Sequence, residues 1–442
     1  MTRSTDTIVA AATPPGTGGI GVVRLSGDEV PSIAAKMLGK LPAPRAATLA
    51  RFSDDNGRPV DTGIALYFES PNSFTGEHVL ELQGHGGPQV MALLVEAAVR
   101  LGARRARPGE FSERAFLNYK LDLVQAEAIA DLIDAGTGQA ARAALRSLSG
   151  EFSDAVTMLV NELTELRVYV EAAIDFPEEE IDFLSDDALN ERLERCRAAF
   201  ERLERDAEAG RVLRDGYQVV LVGQPNAGKS SLMNRLSGED TAIVTEIAGT
   251  TRDILRETID VDGLSVELVD TAGLRDNPDV VEREGIRRAR EALTRADAAL
   301  WVRDATSPDR SLESELPEGL PTLVVWNKVD VAAPPAGGDA DAVRVSARTG
   351  EGLGTLRDEI RRLAGYRNLG EGAFTARQRH VDALADAARH FEDGRVALEA
   401  ERAGELLAEE LRLAQIALGR ITGDVSSDEL LGRIFSEFCI GK

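Results

Sequence analysis

The run GQPNAGKS at residues 223–230 constrains the fold of this 442-residue chain more than any other feature. It follows the hydrophobic run YQVVLV and has the form GxxxxGK[ST], which connects a strand to a helix. In such a loop, backbone N–H groups surround a phosphate, Lys229 adds a positive charge, and Ser230 places a hydroxyl on Mg²⁺. We therefore predict an α/β nucleotide-binding domain here. Its further contact residues from this loop are Asn226, Ala227, Gly228 and Ser231.

Three further motifs specify which nucleotide binds. Asp270, after the run LSVELV, can hold the water shell of Mg²⁺ with its carboxylate. Asp330, after TLVVW, can accept both N–H donors on the Watson–Crick edge of guanine, where adenine presents an acceptor. Ser346, after AVRV, begins a motif placed beside guanine O6. GTP is therefore predicted rather than ATP. The contacts from these motifs are Asp270, Thr271, Ala272, Gly273, Asn327, Lys328, Asp330, Ser346, Ala347 and Arg348.

The segment TEIAGTTRD lies between the first two motifs, and one of its threonines must close over Mg²⁺ and the γ-phosphate. Its predicted contacts are Thr245, Glu246, Ile247, Ala248, Gly249, Thr250 and Thr251. One expected residue is missing, because Leu274 follows Gly273 where Ras-like proteins carry the glutamine that orients the attacking water. The chain is therefore either a poor hydrolase or a hydrolase in which other groups supply that role.

Composition excludes several classes of protein. Only two cysteines, Cys196 and Cys439, rule out a disulfide framework and fit a reducing compartment. No run approaches about 18 apolar residues, and the start MTRSTDTIVA lacks a signal-peptide pattern. We therefore expect a cytoplasmic protein without a membrane segment. The net charge of −24 lies mostly beyond residue 120.

Basic residues cluster near the end of the N-terminal part. Their positions are Arg100, Arg104, Arg105, Arg107, Arg114 and Lys120. Such a cluster either meets phosphate groups or forms an ordinary solvated face, and the sequence leaves both interpretations open.

Changes in hydrophobic periodicity divide the chain into three parts. Residues 1–120 alternate β-rich runs with helical pieces and indicate an α/β or α+β domain. Residues 121–215 and 367–442 have helical periodicity, whereas residues 216–366 contain short strands separated by loops. We predict a discontinuous all-α domain, whose two halves pack together, and an α/β nucleotide-binding domain inserted into it.

A glycine pattern in the N-terminal part has two interpretations. Gly16, Gly18 and Gly21 in PPGTGGIG satisfy GxGxxG, the dinucleotide-binding fingerprint. That motif works only when a helix follows and points its N-terminus at a pyrophosphate. The β-branched run GVVRLSG follows instead, so we predict a glycine-rich turn and a strand.

The helical part contains two apolar stripes. The first runs from Leu145 to Ile174 at spacings of three and four and predicts one long amphipathic helix. The second predicts another helix with Cys196 in its core. Its members are Leu189, Leu193, Cys196, Phe200 and Leu203.

Motifs along the whole chain resemble one family of GTPases. GQPNAGKSS, TEIAGTTRD and DTAGLR in the central part, TPPGTGGIGVVRLSG, LELQGHGGP and RPGEFSERAFLN in the N-terminal part, and the terminal FCIGK are similar to segments of the MnmE (TrmE) family of tRNA-modification GTPases. The N- and C-terminal motifs are the more specific, because many GTPases share the central ones. The resemblance implies a tetrahydrofolate-binding fold for the N-terminal domain and a Ras-like P-loop G domain inserted into the helical domain.

The resemblance also implies a reaction and its partners. MnmE-like proteins are homodimers that act with the FAD-dependent protein MnmG (GidA) in a heterotetramer or larger assembly. Together they add an aminomethyl or carboxymethylaminomethyl group to C5 of the wobble uridine of certain tRNAs. Tetrahydrofolate donates the one-carbon unit and GTP hydrolysis drives conformational change. The implied cofactors are GTP, Mg²⁺, K⁺ and a tetrahydrofolate derivative, with FAD on MnmG.

Residue by residue, the resemblance assigns roles that the motifs leave open. Glu282 corresponds to the family's water-orienting residue, and Ser230 and Thr251 correspond to the Mg²⁺ ligands. A K⁺ ion would sit where an arginine finger otherwise neutralises transition-state charge. Its ligands would be Asn226, Thr245, Ile247 and Thr250. The folate pocket would contain Arg24, Glu81, Lys120 and Lys442.

The tail FCIGK raises a separate question. The spacing of Cys439 from the last residue is that of a prenylation box, but Lys442 and the cytosolic GTPase setting argue against a lipid anchor. If the helical halves pack together, the tail can return to the N-terminal domain and the folate site. A nearby ammonium would then favour the Cys439 thiolate. Cys439 is the candidate catalytic thiol, and the alternative is a thiol that only lines the pocket.

A second class of function is a GTP-switch assembly factor for ribosomal RNA, because related G domains serve that role. Such proteins usually carry a basic RNA-binding module beside the G domain. Residues 367–442 are acidic and helical instead. This difference favours the tRNA-modification hypothesis.

Overall fold

The computed structural model describes residues 6–175, 187–224, 226–239, 255–270, 293–294, 296–307, 317, 319–335, 341–365, 373–425, 427–436 and 438–441. The chain forms two compact units, each built from several segments. The first unit comprises Met1–Ala130, Ser147–Cys196 and Asp386–Lys442. The second unit comprises Asp131–Arg146 and Arg197–Ala385.

The N-terminal part of the first unit is an α/β domain with one six-stranded sheet. Its strands are β1 (Ile8–Ala11), β2 (Gly18–Ser26), β3 (Thr48–Ser53), β4 (Pro59–Phe68), β5 (Val79–Gly86) and β6 (Arg104–Arg105), in the order β3-β4-β5-β2-β1-β6. Only β1 and β6 pair in parallel. Helices α1 (Val30–Leu38) and α2 (Pro88–Arg100) pack on one face, and α3 (Glu110–Leu117) follows β6.

Successive side chains of β2 and β5 point to opposite faces of the sheet, so one face carries the core and the other carries Arg24 and Glu81. Leu80 and Leu82 are buried in the core, while Glu81 between them points to the opposite face of the sheet. The chain enters β2 at Gly18 and continues as a strand to Ser26. The predicted glycine-rich turn followed by a strand is therefore confirmed.

The long helix predicted from the first apolar stripe is wrong. The stripe is shared by α5 (Gly138–Ser149) and α6 (Glu151–Asp175), after α4 (Leu123–Asp134). Gly150 separates them with φ of 101°, a left-handed angle that ends a helix. Leu145 is consequently 54% exposed, although the stripe predicted it as core.

The second stripe is confirmed in α7 (Asp187–Asp215). Its members are all buried: Leu189, Leu193, Cys196, Phe200 and Leu203. Burial raises the pKa of the Cys196 thiol to about 12, so this side chain is a neutral core residue, as predicted.

The second unit contains a six-stranded sheet in the order β12-β11-β10-β7-β9-β8. Its strands are β7 (Tyr217–Val222), β8 (Leu255–Val261), β9 (Leu264–Asp270), β10 (Ala298–Asp304), β11 (Thr322–Asn327) and β12 (Val343–Arg344). All neighbours are parallel except β8 and β9. Helix α8 (Lys229–Glu239) follows β7, and α9 (Leu353–Leu363) follows β12. The carboxyl ends of β7, β10 and β11 lie at one edge, where ligands bind in sheets of this kind.

Both tryptophans of the chain lie in this sheet and pack on one arginine. The guanidinium carbon of Arg303 is 4.7 Å from the ring centroid of Trp301 and 4.3 Å from that of Trp326. Arg303 pairs in register with Trp326 on the adjacent strand and is 5% exposed. A cation between two indole faces is strongly attracted when water is excluded. Trp326, the bulky residue before Asn327, therefore packs against Arg303.

The C-terminal helices are α10 (Gln378–Glu401), α11 (Gly404–Thr422) and α12 (Asp428–Ser436). Within the first unit, α11 packs along α6, so helices from both predicted halves of the helical domain contact each other. Gln415 joins them, because its Oε1 accepts a hydrogen bond from Arg167 (2.6 Å) and its Nε2 donates to Thr164 Oγ1 (2.6 Å). No helix in the described ranges has both the length and the apolar character needed to cross a bilayer.

Candidate functional site

The loop between β7 and α8 packs closely against β11. Gly228 has φ of 90°, and a Cβ there would overlap the side-chain amide of Asn327. Glycine is required at this position because both the backbone angle and the space exclude a side chain. The loop that the sequence predicts for phosphate is therefore also the contact point of a second predicted motif.

The first residues of α8 carry the two polar side chains predicted to bind phosphate and Mg²⁺. Lys229 is buried, and its Nζ donates hydrogen bonds to the carbonyl oxygens of Gly223 (2.7 Å) and Gln224 (2.9 Å). Ser230 Oγ donates to Asp270 Oδ2 at 2.6 Å. A hydroxyl and a buried carboxylate that converge in this way are the hard oxygen ligands that Mg²⁺ prefers. These residues fit the predicted ion.

Asn327 connects three of the predicted motifs. Its Nδ2 donates to the carbonyl oxygen of Ala227 at 2.9 Å. Its Oδ1 accepts from the backbone N–H of Lys328 (2.8 Å) and from that of Ala347 (3.1 Å). The side chain is buried, so each of these bonds is needed to satisfy its amide. One amide thus fixes the phosphate loop and both base-recognition motifs relative to each other.

The two carboxylate oxygens of Asp330, the residue predicted to bind guanine, have different surroundings. Its Oδ1 accepts from Ser346 Oγ at 2.7 Å. Its Oδ2 is buried and makes no hydrogen bond to the described residues, although Arg348 Nη2 lies 3.0 Å away as an ion pair. A buried carboxylate oxygen without a hydrogen bond is an acceptor that fits the N–H groups of guanine. The Arg348 side chain is 79% exposed, so the pair is weak.

Asp304 is a further candidate residue of this site, and sequence reasoning missed it. Lys328 Nζ donates to Asp304 Oδ2 (2.6 Å) and to the carbonyl oxygen of Asn226 (2.7 Å). Burial alone would raise the pKa of Asp304, but hydrogen bonds from Lys328 and Thr306 outweigh it and lower that pKa below its ordinary value. Asp304 ends β10 at the edge where the motifs meet, and this strand-end position is the signal that could have identified it.

The remaining predicted residues of the nucleotide site lie outside the described residues. They are Thr245, Glu246, Ile247, Ala248, Gly249, Thr250, Thr251, Thr271, Ala272, Gly273 and Glu282. Asn226 and Ser231 are described and exposed.

Arg24 and Glu81 form a pair on the N-terminal sheet. Arg24 lies inside β2, directly opposite Glu81 on β5. Arg24 Nη2 is 2.9 Å and Nε is 3.0 Å from Glu81 Oε1. The guanidinium carbon also lies 5.7 Å from the ring centroid of Phe74 and 5.8 Å from that of Phe111. The structure thus joins two predicted folate residues and adds two aromatic rings that the sequence did not single out.

The other predicted folate residues are less informative. Lys120 is exposed and lies beside Gly76, where an added Cβ would be 3.3 Å from Lys120 Cε. Gly76 and Phe74 belong to the same connection between β4 and β5. Lys442 lies outside the described residues.

Four arginines of the N-terminal basic cluster form ion pairs with carboxylates, which neither open interpretation predicted, and the first of them, Arg100, contacts Asp55 and Glu96. Arg104 contacts Asp6 and Glu110, and its pKa is raised above its ordinary value, chiefly by the hydrogen bond with Glu110. The other pairs join Arg107 to Glu113, and Arg114 to Asp6, Glu77 and Glu110. These cations are matched by carboxylates, so a phosphate would have to compete with those partners.

The C-terminal tail returns to the N-terminal domain, as the sequence predicted. The Gly109 N–H donates to the carbonyl oxygen of Cys439 at 3.3 Å, and Pro108 and Ile440 form an antiparallel bridge. Gly441 packs on Ala11. The neighbour of Ala11 on β1, Ala10, is the register partner of Arg24, so the tail reaches the corner of the sheet that carries the Arg24–Glu81 pair. The Cys439 side chain is exposed there.

Comparison with known proteins covers almost the whole chain. The family models described as "GTP-binding protein TrmE N-terminus" and "MnmE helical domain" match residues 7–120 and 123–439. The tRNA modification GTPases MnmE of two Yersinia pseudotuberculosis strains, of serotypes IB and I, are each 55% identical to this chain over 452 residues, which covers 99% of it and 100% of each relative.

A solved structure, the G domain of the T. maritima FeoB iron transporter, is 26% identical and covers 34% of this chain and 98% of its own, with a TM-score of 0.26. The identity to the two Yersinia proteins extends from the nucleotide site to the tail, and both family models agree with it. The chain belongs to the MnmE (TrmE) family of tRNA modification GTPases.

Proposed function

We propose that this chain is a GTP hydrolase which, with the FAD protein MnmG, adds an aminomethyl or carboxymethylaminomethyl group to C5 of the wobble uridine of certain tRNAs. The observation that carries the hydrolase is the Asn327 amide, which ties the phosphate loop to both base-recognition motifs. The names of the relatives, which are tRNA modification GTPases, support the wider reaction.

GTP would bind with guanine against Asp330 and its phosphates against the loop before α8. The Asp330 carboxylate accepts guanine N–H groups, and Ser346 holds that carboxylate in place. Lys229 exchanges its two carbonyl partners for β- and γ-phosphate oxygens. Ser230 and Thr251 would hold Mg²⁺, with Asp270 behind Ser230. When bound, the ion neutralises charge on the phosphate oxygens.

Hydrolysis needs a substitute for the glutamine that Leu274 replaces. Glu282 would orient the attacking water. Asn226, whose side chain is exposed on the loop, would hold K⁺ together with Thr245, Ile247 and Thr250. When bound, this cation supplies the positive charge that an arginine finger otherwise brings. We also propose a homodimer, in which the cation lies between two G domains.

The Arg24–Glu81 corner would bind the tetrahydrofolate derivative. A carboxylate such as that of Glu81 can pair with the amidine-like edge of a pterin through two hydrogen bonds. Arg24, Lys120 and Lys442 suit the negative glutamate tail. The rings of Phe74 and Phe111 beside Arg24 give the pocket apolar walls.

The decisive experiment deletes the gene and measures the wobble uridines of cellular tRNA by mass spectrometry. We expect loss of the C5 modification and its return with the wild-type gene, but not with Lys229→Ala. Lys36→Ala, an exposed lysine on α1, is the matched control and should restore it fully. Unchanged wobble uridines in the deletion strain would exclude the proposed function.

The proposed K⁺ site has its own test. GTP hydrolysis should be much faster in KCl than in NaCl, and Glu282→Ala should lower kcat with little change in GTP affinity. Equal rates in the two salts would exclude the bound-cation mechanism.

A further inference from the structure

We propose that the loop Pro108–Gly109 is a receptor for the C-terminal segment Phe438–Gly441, and that Gly109 and Gly441 are positioning residues for the Cys439 thiol. The inference rests on the proposed function only in taking Cys439 as the thiol beside the one-carbon chemistry. It assigns a role to Pro108 and Gly109 of the motif RPGEFSERAFLN, two residues that neither GTP binding nor the proposed folate pocket uses.

Contacts on both sides hold the backbone around Cys439. On one side, the Gly109 N–H donates to the Cys439 carbonyl, and Pro108 bridges Ile440. On the other side, Gly441 lies against the end of β1 at Ala11. The carbonyl of Cys439 is thus tied to the loop before α3, while the residue two positions later is tied to the sheet.

Neither glycine can be replaced without moving the tail. Gly109 has φ of 65°, and a Cβ there would lie 2.5 Å from the carbonyl oxygen of Phe435 and 3.0 Å from Phe438 Cβ. Gly441 has φ of 99°, and its Cβ would overlap the carbonyl oxygen of Ala11. Both the backbone angle and the close approach therefore demand glycine.

Buried ion pairs preform the receptor loop. Glu110 Oε2 accepts a hydrogen bond from the backbone N–H of Arg107 at 2.8 Å, and the same carboxylate contacts Arg104 (2.7 Å) and Arg114 (3.2 Å). Glu110 is almost fully buried, so water does not compete for the hydrogen bonds of its carboxylate. These contacts fix the chain on both sides of Pro108 and Gly109. A receptor that is rigid before the tail arrives loses little entropy when the tail binds.

The tail presents only its middle to solvent. Phe438 is buried in a cluster with Phe435 and Leu431 of α12, and the rings of Phe435 and Phe438 are 5.5 Å apart. Gly441 is buried at the other end, whereas Cys439 and Ile440 are exposed. The segment Phe438–Gly441, called the clamp below, is therefore fixed at both ends and carries the Cys439 thiol between them.

The cysteine content of the chain permits a direct test on the full-length protein. Cys196 is buried and its thiol is neutral, so a thiol-reactive nitroxide added to the native chain labels the exposed Cys439. Electron paramagnetic resonance should show an immobile label in the wild-type chain. Gly109→Ala and Gly441→Ala should each increase the mobile fraction at least fivefold.

Gly39→Ala is the matched control. Gly39 has φ of 78° in the same domain, but a Cβ there meets nothing within 4 Å. The backbone strain is therefore similar and the collision is absent, so its label should stay immobile. If Gly109→Ala fails to fold, Gly441→Ala at the chain end decides the question alone, because it changes no core residue.

The unlabelled variants connect the clamp to the reaction. Gly109→Ala and Gly441→Ala should lower tRNA modification at least tenfold, since a misplacement of about 1 Å can cost about 100-fold. GTP hydrolysis should stay at the wild-type rate. An immobile label in both variants, or equal mobility in Gly39→Ala, would overturn the receptor. If the label is mobile in both variants but the wild-type chain modifies no tRNA, the receptor would be supported. The proposed function would then be overturned.

Discussion

The nucleotide site of the second unit and the Arg24 corner of the first unit are built in opposite ways. In the nucleotide site, Lys229 begins the helix after the β7 loop and Lys328 directly follows β11, and each donates to backbone carbonyl oxygens of the loop. At the corner, Arg24 meets Glu81 across two antiparallel strands, and the tail arrives from the far end of the chain. The first site is formed largely by short sequence motifs, whereas the second is formed by residues that are distant in sequence and meet through tertiary contacts.

The two regions also use positive charge differently. Lys229 contacts neutral carbonyl oxygens, which a phosphate can replace at little cost. Arg104 and Arg114 contact the buried carboxylate of Glu110, which would lose its cations if these arginines turned to a phosphate. A single lysine in a glycine-rich loop is therefore better suited to bind phosphate than a cluster of arginines.

The largest expected effect tests how much the nucleotide site depends on one acceptor. Asp330→Asn should weaken GTP binding about 100-fold or more, because two charge-assisted hydrogen bonds of about 1.5–3 kcal/mol each are lost. Xanthosine triphosphate, which carries a carbonyl at C2, should bind the variant better than GTP does. Calorimetric titration measures both. Arg348→Ala, at a mostly exposed side chain, is the control and should change affinity less than about threefold.

The matching change at the corner is Glu81→Gln. It keeps the shape but removes the charge that would pair with a pterin and with Arg24, so binding of a tetrahydrofolate derivative should weaken about 10- to 100-fold. Equilibrium dialysis measures this affinity. Glu96→Gln, on the exposed side of α2, is the control. If Glu81→Gln weakened GTP binding equally, the two sites would not be separate.

A smaller effect is expected from Asp304→Asn, which weakens the hold on Lys328 but leaves its contact with the Asn226 carbonyl. Affinity for GTP should fall about tenfold, as expected for one charge-assisted bond. Because the pKa of Asp304 is lowered, its charged form and this contribution persist above the ordinary value near 3.8 and are lost only as the pH falls through the lower folded value. Wild-type affinity should not change between about pH 5 and 8 through this group. Asp358→Asn, at an exposed residue of α9, is the control.

The smallest expected effect contrasts the two cysteines. Cys196→Ser buries a hydroxyl in an apolar helix stripe and should lower the free energy of unfolding by about 1–3 kcal/mol. Cys439→Ser, at an exposed side chain, should change it by less than about 0.5 kcal/mol. Thermal unfolding followed by circular dichroism distinguishes them. Equal destabilisation would mean that the tail contributes to the core through its thiol.

The same contrast explains which features could be predicted. Asn327 and Asp330 were predictable because the chemistry of each motif follows from residues next to one another on the chain. Asp304 was missed because a single aspartate after a strand has no distinctive neighbours. Ion pairs such as Arg114 with Asp6 depend on the sheet register, which periodicity does not specify.

The helix break at Gly150 was missed for a related reason. The apolar spacing continues through it, and one glycine is compatible with a helix at a cost of about 1 kcal/mol. The left-handed angle of Gly150 ends α5, and the apolar spacing gives no sign of it.

The packing of both tryptophans on Arg303 in the second unit bears on the fluorescence of the protein. Trp301 and Trp326 are the only tryptophans of the chain, and both contact Arg303 in the sheet that ends in Asp304 and Asn327. Selective excitation of tryptophan therefore reports on that sheet, because the Arg24 corner and the C-terminal tail contain no tryptophan. Trp301 and Trp326 thus form a native fluorophore pair on strands that end in Asp304 and Asn327, and we expect their emission to change when a nucleotide binds at that edge.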